Sequence, residues 1–151
     1  MILISIESFR EYTPADYNIV RDLWIDVGLI LGLSDKKDEI LILVENQGNK
    51  FFLLEQNSEI IGTVICSFDG RRGYIQHVAV RSEDQNKGYG KILMQKALDY
   101  FKSKGLVKVH LMVEKSNSKV VEYYKKLGWH IRDDLFLMSK ILRDEKFRLD
   151  E

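Results

Sequence analysis

Apolar side chains along this chain switch between a two-residue and a 3.6-residue spacing, and the switches lay out its elements. Leu3 to Arg10 alternates well enough to predict an opening strand. Thr13-Pro14 then offers an N-cap followed by a first-turn proline, the start of a helix reaching about Val27. A second helix is expected from about Asp35 to Gln47, where Gly48 closes it. Phe51 to Gln56 and Glu59 to Phe68 flank Asn57-Ser58 in the pattern of a β-hairpin, and a further turn at Asp69 to Gly73 leads into Tyr74 to Val80 as a third consecutive strand. These neighbours should pair antiparallel. Beyond Gly88 and Gly90, Tyr89, Leu93, Ala97, Tyr100 and Phe101 recur at helical spacing until Lys104-Gly105, and Lys108 to Val113 is again β-rich. A strand, a glycine turn, a helix and a strand make a crossover, so the strands ending at Val80 and Val113 should be parallel neighbours. A last helix is predicted from about Asn117 to Leu127, stopped by Gly128, with Trp129 to Arg132 and Leu135 to Lys140 as a closing hairpin. The result is α/β (α+β): a mixed, mostly antiparallel central sheet of about six to seven strands with one parallel pair, flanked by about four helices. No repeat, low-complexity tract or linker divides it, so one domain over residues 1–151 is expected.

Composition narrows the classes of function. A chain of 151 residues can bury roughly two-thirds of the surface its unfolded form exposes, enough for a core without disulfides or a structural metal. Cys66 is the only cysteine, which rules out an internal disulfide or a multi-cysteine zinc site and points to a reducing compartment, the cytoplasm. The longest strongly apolar run, Ile60 to Phe68, falls well short of the ~20 residues of a membrane-spanning helix. Met1 to Ile6 is apolar but carries no basic leader, long apolar segment or small-residue cleavage site, and acidic Glu7 follows, so a secretory signal is not expected. Charge balances at 23 basic against 23 acidic side chains, which argues against general nucleic-acid binding. Its distribution is uneven, however: Arg71 to Lys126 holds 13 basic and 5 acidic residues, whereas Met1 to Lys50 holds 5 and 9. The basic middle would welcome a ligand with several phosphates, although solvated helix faces account for the same lysines.

Candidate chemistry gathers between Val78 and Trp129. The strand Val78-Ala79-Val80 runs on into Gln85-Asn86-Lys87-Gly88-Tyr89-Gly90-Lys91, entering a helix through two glycines one residue apart. Backbone N–H groups at a helix start have no partner within the helix, glycines let an anion approach them, and the helix dipole adds attraction. A plain tight turn would use the same glycines. Two well-known phosphate loops do not fit: a dinucleotide-binding G-x-G-x-x-G needs glycine where Leu93 stands, and a P-loop needs glycine at Gln85 and a hydroxyl at Ile92.

What the segment resembles is the Q/R-x-x-G-x-G/A signature of the GNAT N-acetyltransferase family, as Gln85-Asn86-Lys87-Gly88-Tyr89-Gly90 directly after a strand. Downstream, Asn117, the helical stretch to Tyr123-Tyr124-Lys125-Lys126 and then Leu127-Gly128-Trp129 resemble the family's second motif: an asparagine, a helix, a tyrosine, a basic residue and a glycine-aromatic pair. The likeness spans about Tyr74 to Trp129, and the order of all predicted elements agrees with it. Gly70-Arg71-Arg72-Gly73-Tyr74 is similar to a stretch before the fourth strand of small stand-alone bacterial acetyltransferases, many of them without an assigned substrate.

The resemblance implies a set of roles. Acetyl-CoA, used as co-substrate, would enter the splay between the two parallel strands. Its pantetheine arm would bond backbone groups at Val78, Ala79 and Val80, and its pyrophosphate would sit on amides of Gln85, Asn86, Lys87, Gly88, Tyr89, Gly90 and Lys91. Asn117 matches the position that bonds the pantetheine arm, and Tyr124 the tyrosine that protonates the departing thiolate. Seven residues at ~100° each leave Asn117 and Tyr124 within about 20° on one helical face, so both can meet one ligand. An N-cap asparagine and a core tyrosine would show the same spacing.

Direct transfer to an amine also needs a base. The family often carries an acidic residue on the fourth strand, where this chain has Gln76 and His77. Histidine titrates near neutrality, which makes His77 the nearest candidate, against Glu114 or a water chain. Cys66 shares period-two spacing with Val64 and Phe68, the pattern of a packed core thiol. His110 and His130 lack metal-ligand partners at the usual spacing, so no metal is expected. Tyr17, Trp24, Asp26 and Gly28 to Leu33 should meet the acceptor, and the charged tail, Arg143 to Glu151, should lack fixed structure. The function expected is acetyl-CoA-dependent N-acetyl transfer to a primary amine of a small molecule or protein. The alternative is a non-catalytic acyl-CoA-binding or regulatory module on the same fold. A homodimer is one further expectation, since small sheets of this kind often pair.

Overall fold

In the computed structural model, residues 6–143 are described. They form one five-stranded sheet in the order β1 (Glu7–Glu11), β2 (Lys50–Gln56), β3 (Glu59–Phe68), β4 (Gly73–Val80) and β5 (Val109–Leu111). All neighbours run antiparallel except β4 and β5, which are parallel. Four helices flank it: α1 (Tyr17–Asp26), α2 (Lys37–Glu45), α3 (Tyr89–Ser103) and α4 (Ser118–Lys126).

The meander β2–β3–β4 forms because its turns have the right chemistry. Asn57 and Ser58 both take positive φ, 51° and 68°, the twist that a two-residue hairpin loop requires. Asp69 Oδ1 accepts from the Arg71 and Arg72 N–H groups and holds the next turn. Both faces of the meander are covered. Phe51, Leu53, Ile60 and Ile65 pack under Val20, Leu23 and Trp24 of α1 and Ile40 of α2. Phe52, Leu54, Ile61, Val64 and Cys66 pack under Leu93, Met94, Ala97 and Phe101 of α3. On α3 that is an i, i+1, i+4, i+8 stripe, the spacing that turns one helix face toward a core. At Gly62 an added Cβ would lie 2.9 Å from Leu93 Cδ1 and 3.2 Å from the Ala79 carbonyl oxygen, so the absent side chain lets α3 settle low on the sheet.

Each of the first two predicted helices opens with a short 3-10 turn. Pro14–Asp16 precedes α1, where the Asp16 carboxylate accepts from both the N–H and the hydroxyl of Thr13. Leu33–Asp35 precedes α2.

Beyond α4 the predicted closing hairpin does not form: Trp129 to Arg132 and Leu135 to Lys140 carry no strand, so the described sheet has five strands where about six to seven were expected. β5 is only three residues long and offers little edge to extend. Leu135, Phe136, Leu137 and Met138 are apolar in succession, so no register could bury one face and wet the other, and all four are exposed. Residues 3–5 of the predicted first strand and residues 144–151 of the charged tail lie outside the described residues. Arg143 itself is ion-paired with Glu39 at 2.7 Å.

Candidate active site

Pairing between β4 and β5 covers only Gly73–Ile75 against Val109–Leu111. On its other side β4 pairs with β3 as far as Val80, but with an irregularity: Thr63 faces Ala79, and two residues further along β3, Ile65 faces Gln76. Three steps on β4 answer two on β3, which is a β-bulge at His77 and Val78. His77 takes φ +50° there. The extra residue reverses the strand's faces. Ile75 packs under α3, while beyond the bulge Val78 and Val80 turn to that side and Ala79 faces α1. A bulge also bends its strand, and among the described residues the β4 edge beyond Ile75 has no strand partner on the β5 side.

That edge opens beside the start of α3. A cleft of about 240 Å³ is lined by Val78, Val80, Asp84, Gln85, Asn86, Gly88, Tyr89 and Gly90. Gly88 is the N-cap of α3 at φ +89°, and no side chain caps this helix start, so its first-turn N–H groups remain available. Nothing stands within 4 Å of an added Cβ at Gly88 or Gly90, so the space over these amides is open. Gln85 is exposed and folds back along the strand, its Nε2 donating to the Val80 carbonyl at 2.9 Å. Asp84 was not foreseen. It is buried, takes Arg81 Nε at 2.7 Å and lies 3.7 Å from Lys87 Nζ, thereby bracing the loop that leads to the glycines.

Asn117 occupies the N-cap of α4 but makes no side-chain cap bond, so the plain capping role does not apply. Tyr124 lies one face along, half-buried against the α3 core, with Trp129 edge-on at 6.0 Å between ring centroids. Burial, with a contribution from Tyr123, pushes the Tyr124 hydroxyl above its ordinary pKa, which keeps it protonated.

His77 meets a partner that the sequence did not reveal. Its Nε2 lies 2.7 Å from Asp35 Oδ1, and the ring stands edge-on to Trp24 at 4.7 Å. The Trp24 indole donates to Thr63 Oγ1, whose hydroxyl donates in turn to the His77 carbonyl, each at 2.9 Å. Glu114 is exposed, beyond the end of β5. Of the expected acceptor-side residues, Tyr17 is buried and donates its hydroxyl to the Asp35 carbonyl. Asp26 accepts from Ser82 Oγ at 2.7 Å. Cys66 is fully buried and its thiol is pushed up to about 12 by desolvation. Among the described residues no cluster of His, Cys, Asp or Glu could hold a metal ion, and no helix is long and apolar enough to cross a membrane.

Residues 10–129 match the sequence profile of the acetyltransferase (GNAT) family. The chain belongs to the GNAT acetyltransferase family. An acetyltransferase of Pectobacterium atrosepticum is 26% identical over 138 residues, 91% of this chain and 98% of that one. A predicted acetyltransferase from Clostridium acetobutylicum, crystallised with acetyl-CoA, superposes with a TM-score of 0.70 at 19% identity, over 89% of this chain and 96% of that one. Glucosamine-6-phosphate N-acetyltransferase of Arabidopsis thaliana gives 0.69 at 21%, over 91% and 99%. At these identities the two structures show a shared fold. GNAT membership places the chain among acyltransferases. In this GNAT chain, local motifs marked the glycine turn, Asn117 and Tyr124, whereas Asp84, Thr63 and Asp35 carry no motif. The i, i+3 pairing of Arg81 with Asp84 was the one available local signal.

Proposed function

We propose that this protein transfers the acetyl group of acetyl-CoA directly to a primary amine. The observation that carries the reading is the unpartnered β4 edge beyond Ile75, opening beside the uncapped, glycine-lined start of α3. Backbone groups at Val78 to Val80 would hold the pantetheine arm as an added strand, since an unpaired sheet edge recognises an extended ligand. The amides from Gln85 to Lys91 would take the pyrophosphate, with Asn117 bonding the arm from α4.

The chemistry then divides between two side chains. As the amine nitrogen bonds to the acetyl carbonyl carbon, His77 takes the amine proton. As the carbon–sulfur bond breaks, Tyr124 gives its hydroxyl proton to the thiolate sulfur, and solvent exchange returns both groups to neutrality. Products are the N-acetyl amine and free CoA thiol. A lone buried cysteine suits a reducing compartment such as the cytoplasm.

Calorimetry with acetyl-CoA, followed by thiol release across polyamines, amino acids, aminoglycosides and lysine peptides, tests this directly. Binding with amine-dependent thiol release is expected. Binding without release would leave a non-catalytic acyl-CoA module, and absent binding would remove the reading. Gly88→Glu should abolish binding, because a carboxylate would occupy the space over the α3 amides.

A further inference from the structure

Resting on the transfer reaction proposed above, we propose that Asp35 is the positioning residue for His77. It holds the imidazole as its Nε2–H tautomer and so makes Nδ1 the atom that takes the amine proton. Both carboxylate oxygens of Asp35 are committed: Oδ1 faces His77 Nε2 at 2.7 Å and Oδ2 accepts the Gly32 N–H at 2.9 Å. The residue is 9% exposed. A carboxylate only accepts hydrogen bonds, so the hydrogen between the two side chains belongs to Nε2, and a neutral ring then carries its lone pair on Nδ1.

Three contacts from three elements fix His77. Trp24 from α1 meets the ring edge-on, Thr63 from β3 holds the backbone carbonyl, and Asp35 from the turn before α2 holds Nε2. The backbone at φ +50° is uncommon for a non-glycine residue, and it sits at the β3–β4 bulge just past the end of the β4–β5 pairing. Together these contacts leave the imidazole one orientation, with Nε2 on the carboxylate. Asp35 also closes the Gly28 to Leu33 loop, and Tyr17 anchors its carbonyl at 2.9 Å. The orientation of the base and the fold of the acceptor-side loop therefore share one residue.

Asp35→Asn tests the assignment in the full-length protein. The Gly32 N–H still needs an acceptor, so the asparagine oxygen should stay with it and turn the amide NH2 toward His77 Nε2. The ring would then have to accept at Nε2 and carry its proton on Nδ1. The expected result is acetyl-CoA affinity within twofold of wild type but turnover down by about 10²-fold or more, as removing a proper tautomer does elsewhere. The 15N signals of His77 should change from the Nε2–H to the Nδ1–H pattern. His77→Asn should lose as much turnover, and the double variant should lose no more than either single one.

Wild-type turnover in Asp35→Asn, or an Nδ1–H pattern in the wild-type spectrum, would overturn the assignment. The wild-type spectrum decides alone if the variant does not fold. A loss in His77→Asn without one in Asp35→Asn would sink the role of Asp35 and leave His77 as base. A wild-type protein that binds acetyl-CoA but acetylates no amine would instead remove the transfer reading itself.

Discussion

The face of the sheet under α1 and the end of the molecule under α4 follow different rules. Val20 and Trp24 of α1 and Leu53 of β2 are wholly enclosed between helix and sheet, and the one polar atom of the Trp24 side chain is satisfied by Thr63. α4 has no buried residue, and Tyr124 and Trp129 are only half-covered. In the proposed reaction the first region handles the incoming amine's proton and the second the departing thiol's. The geometry of the base is therefore built into the core, whereas the acid stands on an element whose remaining contacts a bound cofactor can supply.

The largest test of this contrast is thermodynamic. Trp24→Ala should cost about 3–5 kcal/mol, because it empties a sealed site beside Phe51, His77 and Thr63. Trp129→Ala should cost under about 1.5 kcal/mol by the same denaturant titration. Equal losses would mean that the two regions are equally part of the core. Kinetics gives the next effect: Tyr124→Phe should lower kcat by about 10²-fold or more while moving Tm by no more than about 2 °C. An unchanged kcat would place the acid elsewhere.

A pair of glycines sharpens the comparison further. Gly88 and Gly28 have φ of +89° and +88°, and neither would bring a Cβ within 4 Å of a neighbour. An alanine at either should cost about 1 kcal/mol of backbone strain. Only Gly88→Ala should also weaken acetyl-CoA binding, by roughly tenfold, since only there does a methyl stand over the α3 amides. Equal affinities in the two variants would argue against the glycine turn as the pyrophosphate site. The smallest effect is none: iodoacetamide at pH 8 should leave native Cys66 unlabelled, because its burial holds the thiol protonated up to about 12. Raising the pH from the ordinary thiol range toward 12 should destabilise the fold, since the unfolded chain releases this proton first.

The parts of this fold that sequence made visible are those set by local rules. Asn57-Ser58 and Asp69 specify their turns within four residues, and the α3 stripe declares its own buried face. The glycine turn and the Tyr124 motif are equally local. The link between Asp35 and His77 joins residues 42 apart, and Asp35 in the sequence looks like an ordinary helix start. The bulge at His77 is just as hidden, because extra length in β4 becomes visible only against the register of β3. The unformed closing hairpin has the reverse cause: β-forming residues are present from Leu135 to Lys140, but β5 gives them no edge to join.

Gly62 has the farthest reach of these small features. The hydrogen it carries in place of a side chain sets the gauge between Leu93, one turn into α3, and the Ala79 carbonyl on β4. In the proposed complex, the amides that would grip the diphosphate and the strand that would carry the thioester arm are thus held at a fixed span by a missing methyl. A cofactor of given length meets a ruler already cut to it, and an alanine at this position would lengthen that ruler without touching any atom of the ligand.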